Sequence, residues 1–131
     1  MRNAITLTVV GIVIVVGVLA HQARSADNYA RAEARRLTGG NPERGRDLVS
    51  YYGCNTCHTI PGSAGPRATT GPPLDHLAQR VFLAGELPNT SENLQRWIRE
   101  PHSVEPKTAM PDMGVTEQDA KDLAAFLYTL R

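Results

Sequence analysis

The chain has 131 residues, 14 Lys and Arg against 13 Asp and Glu, a net charge of +1 and 41% hydrophobic residues. That is room for one small domain and an appendage, with no self-similar period to suggest a repeat array. From Asn41 to Arg131 nine basic residues face eleven acidic ones, a mildly acidic balance that argues against nucleic acid as a partner.

The composition shifts at the front. Ala4 to Ala20 is a run of 17 uncharged residues rich in Val and Ile, interrupted only by Thr6, Thr8, Gly11 and Gly17, with Arg2 ahead of it. Such a run lies at the short edge of a membrane span and just beyond a signal-peptide core. A retained single-pass anchor over residues 1–24 is the favoured reading. The alternative is a signal peptide with Val18-Leu19-Ala20 as its cleavage site. A buried soluble helix is excluded because the run has no polar face. Residues 25–40 read as a juxtamembrane linker rather than core, with Ala, Glu and Arg favouring helix. As helix the segment reaches about 20 Å, and fully extended about 50 Å. Arg24, Arg31, Arg35 and Arg36 crowd this neck, and the positive-inside tendency on its own prefers them in the cytoplasm.

The domain from 41 to 131 opens with Asn41-Pro42, an N-cap followed by proline in the first turn, predicting a helix to about Tyr52 that Gly53 stops. Next comes Cys54-Asn55-Thr56-Cys57-His58, the pattern of covalent haem attachment. Two thiols can add to the two vinyl groups of one porphyrin, while the imidazole that follows meets the metal. A redox dithiol needs a βαβ setting that this chain lacks. A structural zinc site needs four ligands, but two cysteines are all there are, and His21, His76 and His102 stand singly. A disulfide closing so tight a loop leaves His58 without a purpose.

Further along, a short helix is expected over Leu74 to Ala84. Asn89-Thr90-Ser91-Glu92 has capping-box spacing ahead of Leu94, Trp97 and Ile98, with Pro101 ending that helix. Thr116 to Asp119 caps a last helix, with Ala120, Leu123, Ala124, Leu127 and Leu130 on one apolar face. No window alternates, so the expected fold class is all-α with loops rich in Gly and Pro, behind a single N-terminal transmembrane helix.

Over nearly all of 41–131 the chain resembles class I cytochrome c, of the membrane-anchored bacterial kind. The resemblance rests on Gly45, Cys54-Asn55-Thr56-Cys57-His58, Gly71-Pro72-Pro73-Leu74, Leu94 to Pro101, Met110-Pro111 and Leu123-Ala124-Ala125-Phe126-Leu127, in the family's order and spacing. It implies one haem c bound through Cys54 and Cys57, with His58 and Met110 as axial ligands. Met113 is the rival, lacking the family's place before proline. The resemblance also implies that the Pro72 carbonyl accepts the His58 ring proton, that Arg80 and Thr108 serve the propionates, and that Trp97 dries the pocket beside the methionine. Val49 departs from the family's aromatic, so the contact with Phe126 is expected to be packed differently, with Tyr51 or Tyr52 helping. His76 and His102 read as surface residues, and the loop from Thr59 to Gly71 is not placed by sequence.

The resemblance implies an electron carrier rather than an enzyme, because a six-coordinate His and Met iron leaves no position for a small-molecule substrate. It puts the haem domain on the exported, periplasmic face of the cytoplasmic membrane, against the arginine count. The expected partners are membrane lipid at the anchor, and a quinol-oxidising complex and a terminal oxidase between which electrons shuttle. The alternative is a fixed haem c subunit of one oxidase or dehydrogenase complex. A gas sensor or peroxidase requires the iron to lose Met110. Thr56, Ala109 and Pro111, small and uncharged, are expected around the exposed haem edge, so electrostatic steering is expected to be weak.

Overall fold

The computed structural model describes residues 2–63 and 68–131, with side chains from Leu7 onward. Gly65 and Pro66, assigned above to the loop after His58, lie outside the described residues. The chain divides into two compact units, Met1–Ala30 and Arg31–Arg131. The first is the N-terminal part of α1 (Arg2–Thr38). Its apolar side chains are exposed, Leu7 at 74% and Ile14 at 60% among them. An 18-residue window of mean hydropathy 1.8 makes this helix long and apolar enough to cross a membrane. At about 1.5 Å per residue the 17 uncharged positions rise about 26 Å, close to a hydrocarbon core of about 30 Å.

The second unit begins ten residues earlier than the boundary expected at Asn41. Ala34 and Thr38, assigned above to a linker, are buried at 1% and 5% exposure. Composition reveals helix there but not docking: two small residues at i and i+4 let a helix lie close to its neighbours without any long apolar stripe. The neck is also less positive than its arginines suggest. Arg31 and Arg35 both pair with Glu43, and Arg36 with Glu33 at 2.6 Å.

α2 (Pro42–Tyr51) starts as expected, the Asn41 side chain accepting from the Glu43 and Arg44 amides at 2.9 and 3.3 Å. It ends before Gly53, whose φ of 69° reverses the chain into the cysteine turn. α2 crosses α5 (Glu117–Leu127), itself capped by Thr116 accepting from the Asp119 amide at 3.2 Å. Around this crossing gather Val49, Leu94, Leu123 and Phe126, each at most 2% exposed. Val49 is buried where an aromatic was missed. Tyr52 supplies the help, while Tyr51 is 79% exposed.

Polar groups fasten the crossing too. Arg44 pairs with Asp119 at 2.5 Å and with the buried Asp122, which also accepts from the Asn41 amide at 2.7 Å and Gln118 at 3.1 Å. Tyr52 donates to Asp119 at 2.6 Å. The Tyr52 hydroxyl first, and Arg44 after it, hold the Asp119 carboxyl below the ordinary aspartate value, against the opposing effect of burial. A carboxylate with a lowered folded-state pKa adds stability that is whole above the unfolded value of about 3.9 and fades as pH falls through the folded one. Tyr52→Phe is therefore expected to cost about 1.5 kcal/mol at neutral pH, typical of a hydrogen bond to a charged group. Thermal melts of both proteins should show that difference shrinking on acidification below about pH 4.

Between the crossing helices the expected helix over Leu74 to Ala84 does not form. Its only helical part is a 3-10 turn at Leu77–Gln79, followed by a minimal antiparallel hairpin of β1 (Phe82–Leu83) and β2 (Leu87–Pro88). Ala84 and Gly85 both take positive φ, 52° and 76°, which turns the chain back where a helix would continue. α3 (Ser91–Arg99) forms as expected, but its cap is Thr90, accepting from the Asn93 amide at 3.2 Å, not Asn89. The Asn89 side chain is drawn off to the carbonyls of Leu77 and Arg80. Pro101 ends that helix and opens the single turn α4 (Pro101–Val104). The fold is thus mostly helical, as its class was read.

Candidate functional site

A 3-10 turn, Cys54–Thr56, begins directly after Gly53 and is closed by the Cys57 amide on the Cys54 carbonyl at 3.3 Å. The His58 amide reaches the same carbonyl at 2.9 Å, so one backbone oxygen gathers the last two residues of the motif. Thr56 tightens the turn by donating to the Gly53 carbonyl at 2.7 Å. Both thiols are free and half-buried. Burial pushes the Cys54 thiol above its ordinary value, the opposite of the activated thiolate that a redox dithiol requires.

His58 is pinned on two sides. Its Nδ1 lies 2.7 Å from the Pro72 carbonyl oxygen. A carbonyl only accepts, so Nδ1 carries the proton and Nε2 keeps the lone pair that a metal needs. Against the ring lies Gly71, where an added Cβ would stand 2.5 Å from Cε1 and 2.7 Å from Nδ1. The Gly71 amide donates to the Cys57 carbonyl at 2.7 Å, tying the backbone under the imidazole to the motif itself. The Leu74 amide repeats the tie on Thr59 at 2.9 Å. The loop left open by sequence is braced by the Thr59 hydroxyl on the Ala68 carbonyl at 2.9 Å, with Ile60 buried beneath.

Arg80 is half-buried and spends Nη2 on the backbone, donating to the carbonyls of Pro73 and of Asp75, the latter at 3.0 Å. Cys54, Cys57, His58, Pro72 and Arg80 thus form one connected group. Thr108 and Met110 form another. The Thr108 hydroxyl accepts from the Met110 amide at 3.1 Å, fixing the turn that presents the thioether. Met110 is half-buried, whereas Met113 is 42% exposed. Trp97 is half-buried on α3, and its indole N–H has no protein acceptor among the described residues. Thr56, Ala109 and Pro111 are exposed, as are His76 and His102.

These groups fit a covalent haem and fit little else. Among the described residues no three His, Cys, Asp or Glu side chains converge as a bare metal site would require. Haem asks the protein only for two unactivated thiols on one turn, an imidazole with Nδ1 already engaged, and a flat backbone face such as Gly71 offers. An open cleft of about 550 Å³ lies elsewhere, lined by Arg35, Asn41, Arg44 and Asp122. Its charged groups are already partnered, Arg44 with Asp122 and Arg35 with Glu43. Sequence quoted Gly71 without giving it a role, although its place next to Pro72 was the available signal. Asn89 signalled only a helix cap, and Tyr128 carried no signal.

The family described as Cytochrome c matches residues 42–131. Cytochrome c oxidase subunit 2 of Alkalihalophilus pseudofirmus is 32% identical over 101 residues, covering 76% of this chain and 29% of that protein. The protein of the same name from Bacillus sp. strain PS3 is 33% identical over 89 residues, 65% of this chain and 25% of its own length. That of Bacillus subtilis is 25% identical over 88 residues, again a quarter of its length. The chain therefore spans less than a third of the length of these curated relatives.

Proposed function

The chain belongs to the cytochrome c family, and from that premise we propose that it is a membrane-anchored carrier with His58 and Met110 as axial ligands, passing electrons from a quinol-oxidising complex to a terminal oxidase. Haem c, held covalently through Cys54 and Cys57, supplies a one-electron Fe(II)/Fe(III) couple when bound. The observation that carries the reading is the 2.7 Å contact between His58 Nδ1 and the Pro72 carbonyl. It leaves Nε2 as the ring's one donor atom, and it makes the imidazole more basic. Thr108 fixes the backbone of Met110, whose thioether would be the second iron ligand and would favour Fe(II), raising the potential toward that of a carrier feeding an oxidase. Trp97 excludes water beside the methionine and keeps an N–H donor free. Arg80 retains Nε and Nη1 for a propionate. Once haem is bound, ligation by His58 and Met110 would leave no position for a substrate, so the domain would pass electrons alone.

The haem domain is proposed to lie on the exported face, where haem attachment takes place in this family. Anchoring by a single helix raises its effective concentration near membrane partners, which suits a domain of nearly balanced charge. A second reading is favoured by the names of the relatives: a haem c subunit fixed within one oxidase complex. Purification in mild detergent separates the two. The shuttle predicts a free monomer, still membrane-extracted, that is reduced by a quinol-oxidising complex and oxidised by an oxidase. Recovery at fixed stoichiometry with oxidase subunits contradicts the shuttle and supports the subunit.

A further inference from the structure

We propose that Asn89, oriented by Tyr128, is a positioning residue for His58: it fastens the strap 77–81 whose Arg80 holds the Pro72–Asp75 backbone against the imidazole, and so sets the reduction potential. The inference rests on His58 being the iron ligand.

Both polar atoms of the Asn89 side chain, and its backbone N–H, are committed to this strap or to Tyr128. Its amide nitrogen donates to the Leu77 carbonyl at 2.8 Å and the Arg80 carbonyl at 2.9 Å, and its backbone N–H donates to the Val81 carbonyl at 2.9 Å. Its side-chain oxygen accepts from the Tyr128 hydroxyl at 3.0 Å. From the far side of the strap Arg80 donates to the carbonyls of Pro73 and Asp75. Those two residues follow Pro72, whose own carbonyl takes the His58 proton. A route of hydrogen bonds thus runs from the C-terminal end of α5, through Asn89 and Arg80, to the segment that polarises the proximal ring. The strap also rests on the same end of the chain directly, the Ala78 amide donating to the Leu130 carbonyl at 3.1 Å. Burial pushes the Tyr128 phenol up to about 12, so it stays protonated and keeps donating.

The physical consequence is a change of potential rather than a loss of fold. An Nδ1–H donating to a well-placed carbonyl makes the imidazole more basic and stabilises Fe(III). If the strap slackens, Pro72 drifts from the ring, that bond weakens and Fe(II) gains. Asn89→Ala removes the three side-chain hydrogen bonds, to Leu77, Arg80 and Tyr128, and keeps the backbone amide's bond to Val81. Tyr128→Phe removes only the hydroxyl that aims the amide.

The test is a redox titration of the haem-loaded full chain in detergent, with the His58 ring N–H followed by NMR in the reduced protein. Asn89→Ala is expected to raise the Fe(II)/Fe(III) ratio about threefold at the wild-type midpoint, which is about 28 mV at 59 mV per tenfold. The His58 ring proton should exchange faster with solvent. Tyr128→Phe should shift both readouts in the same direction by less, and it keeps the test open should the alanine variant fail to mature. Thr116→Ala, which loses the α5 cap at a cost of about 1 kcal/mol, is the control for stability alone and should leave the midpoint unmoved. Unchanged midpoints and exchange rates in Tyr128→Phe and any folded Asn89→Ala protein would overturn the proposal. A wild-type His58 ring without the resonance shifts of an iron-bound imidazole would instead remove its footing, a result visible before any variant is made.

Discussion

Gly45→Val is expected to yield a chain that does not mature into a folded, haem-loaded domain, and Gly45→Ala one that loses at least about 3 kcal/mol of stability. The reason is the approach of two helix backbones. A Cβ at Gly45 would stand 1.9 Å from the Asp122 carbonyl oxygen and 2.9 Å from the Phe126 Cβ. The first of these neighbours is main chain inside α5, which cannot rotate away as a flexible side chain can. Relief requires the helices to part, and parting exposes Val49, Leu123 and Phe126 at the centre of the core. It also pulls the Asn41 amide and Arg44 from Asp122, leaving a carboxylate at 2% side-chain exposure without its partners. Haem content per chain and the far-ultraviolet circular dichroism melt read this out. A Gly45→Val protein with wild-type haem content and melting temperature would contradict the crossing described here.

Gly71→Ala is expected to act on the iron rather than on the core. The added methyl would meet His58 at 2.5 Å from Cε1, and the ring cannot yield toward the other side without breaking its 2.7 Å bond to the Pro72 carbonyl. Overpacking of this kind costs about 1–3 kcal/mol in a core. Here the pressure falls on His58, the proposed ligand, so its bond to iron is expected to lengthen or tilt. The ferric protein should show a high-spin fraction by electron paramagnetic resonance that the wild type lacks, and reduced haem retention on heating. A purely low-spin Gly71→Ala spectrum would mean that His58 is free to adjust or is not the ligand.

The elements legible in the sequence share a property: each is specified by residues adjacent in the chain. Asn41-Pro42 and Gly53 bound α2 and Thr116 caps α5, as the cap bonds bear out, and Cys54 to His58 form a motif readable without any distant partner. The Pro72 contact was legible only through family resemblance, since nothing local joins residues 14 apart. What escaped notice depends on partners far away in the chain. The expected helix over Leu74 to Ala84 is composed of good helix formers, but Asn89 takes the Leu77 and Arg80 carbonyls while Ala84 turns left-handed. The same diversion moved the α3 cap from Asn89 to Thr90. The pairing of Arg44 with Asp119 and Asp122, and of Tyr52 with Asp119, had no local signal in the sequence, because it spans 67 to 78 positions. Ala34 and Thr38 read as linker because small residues bury without announcing a hydrophobic face.

Met110 bears on the central claim most directly, since a carrier differs from a sensor or a peroxidase in having its sixth position closed by a protein sulfur. The far-red sulfur-to-iron band of the oxidised protein tests it. The band is expected in the wild type and in Met113→Ala, and should vanish in Met110→Ala, whose reduced form should then bind carbon monoxide without denaturant. A band that persists in Met110→Ala, or that is absent from the wild type while its reduced form takes up carbon monoxide, would contradict a closed His58 and Met110 iron.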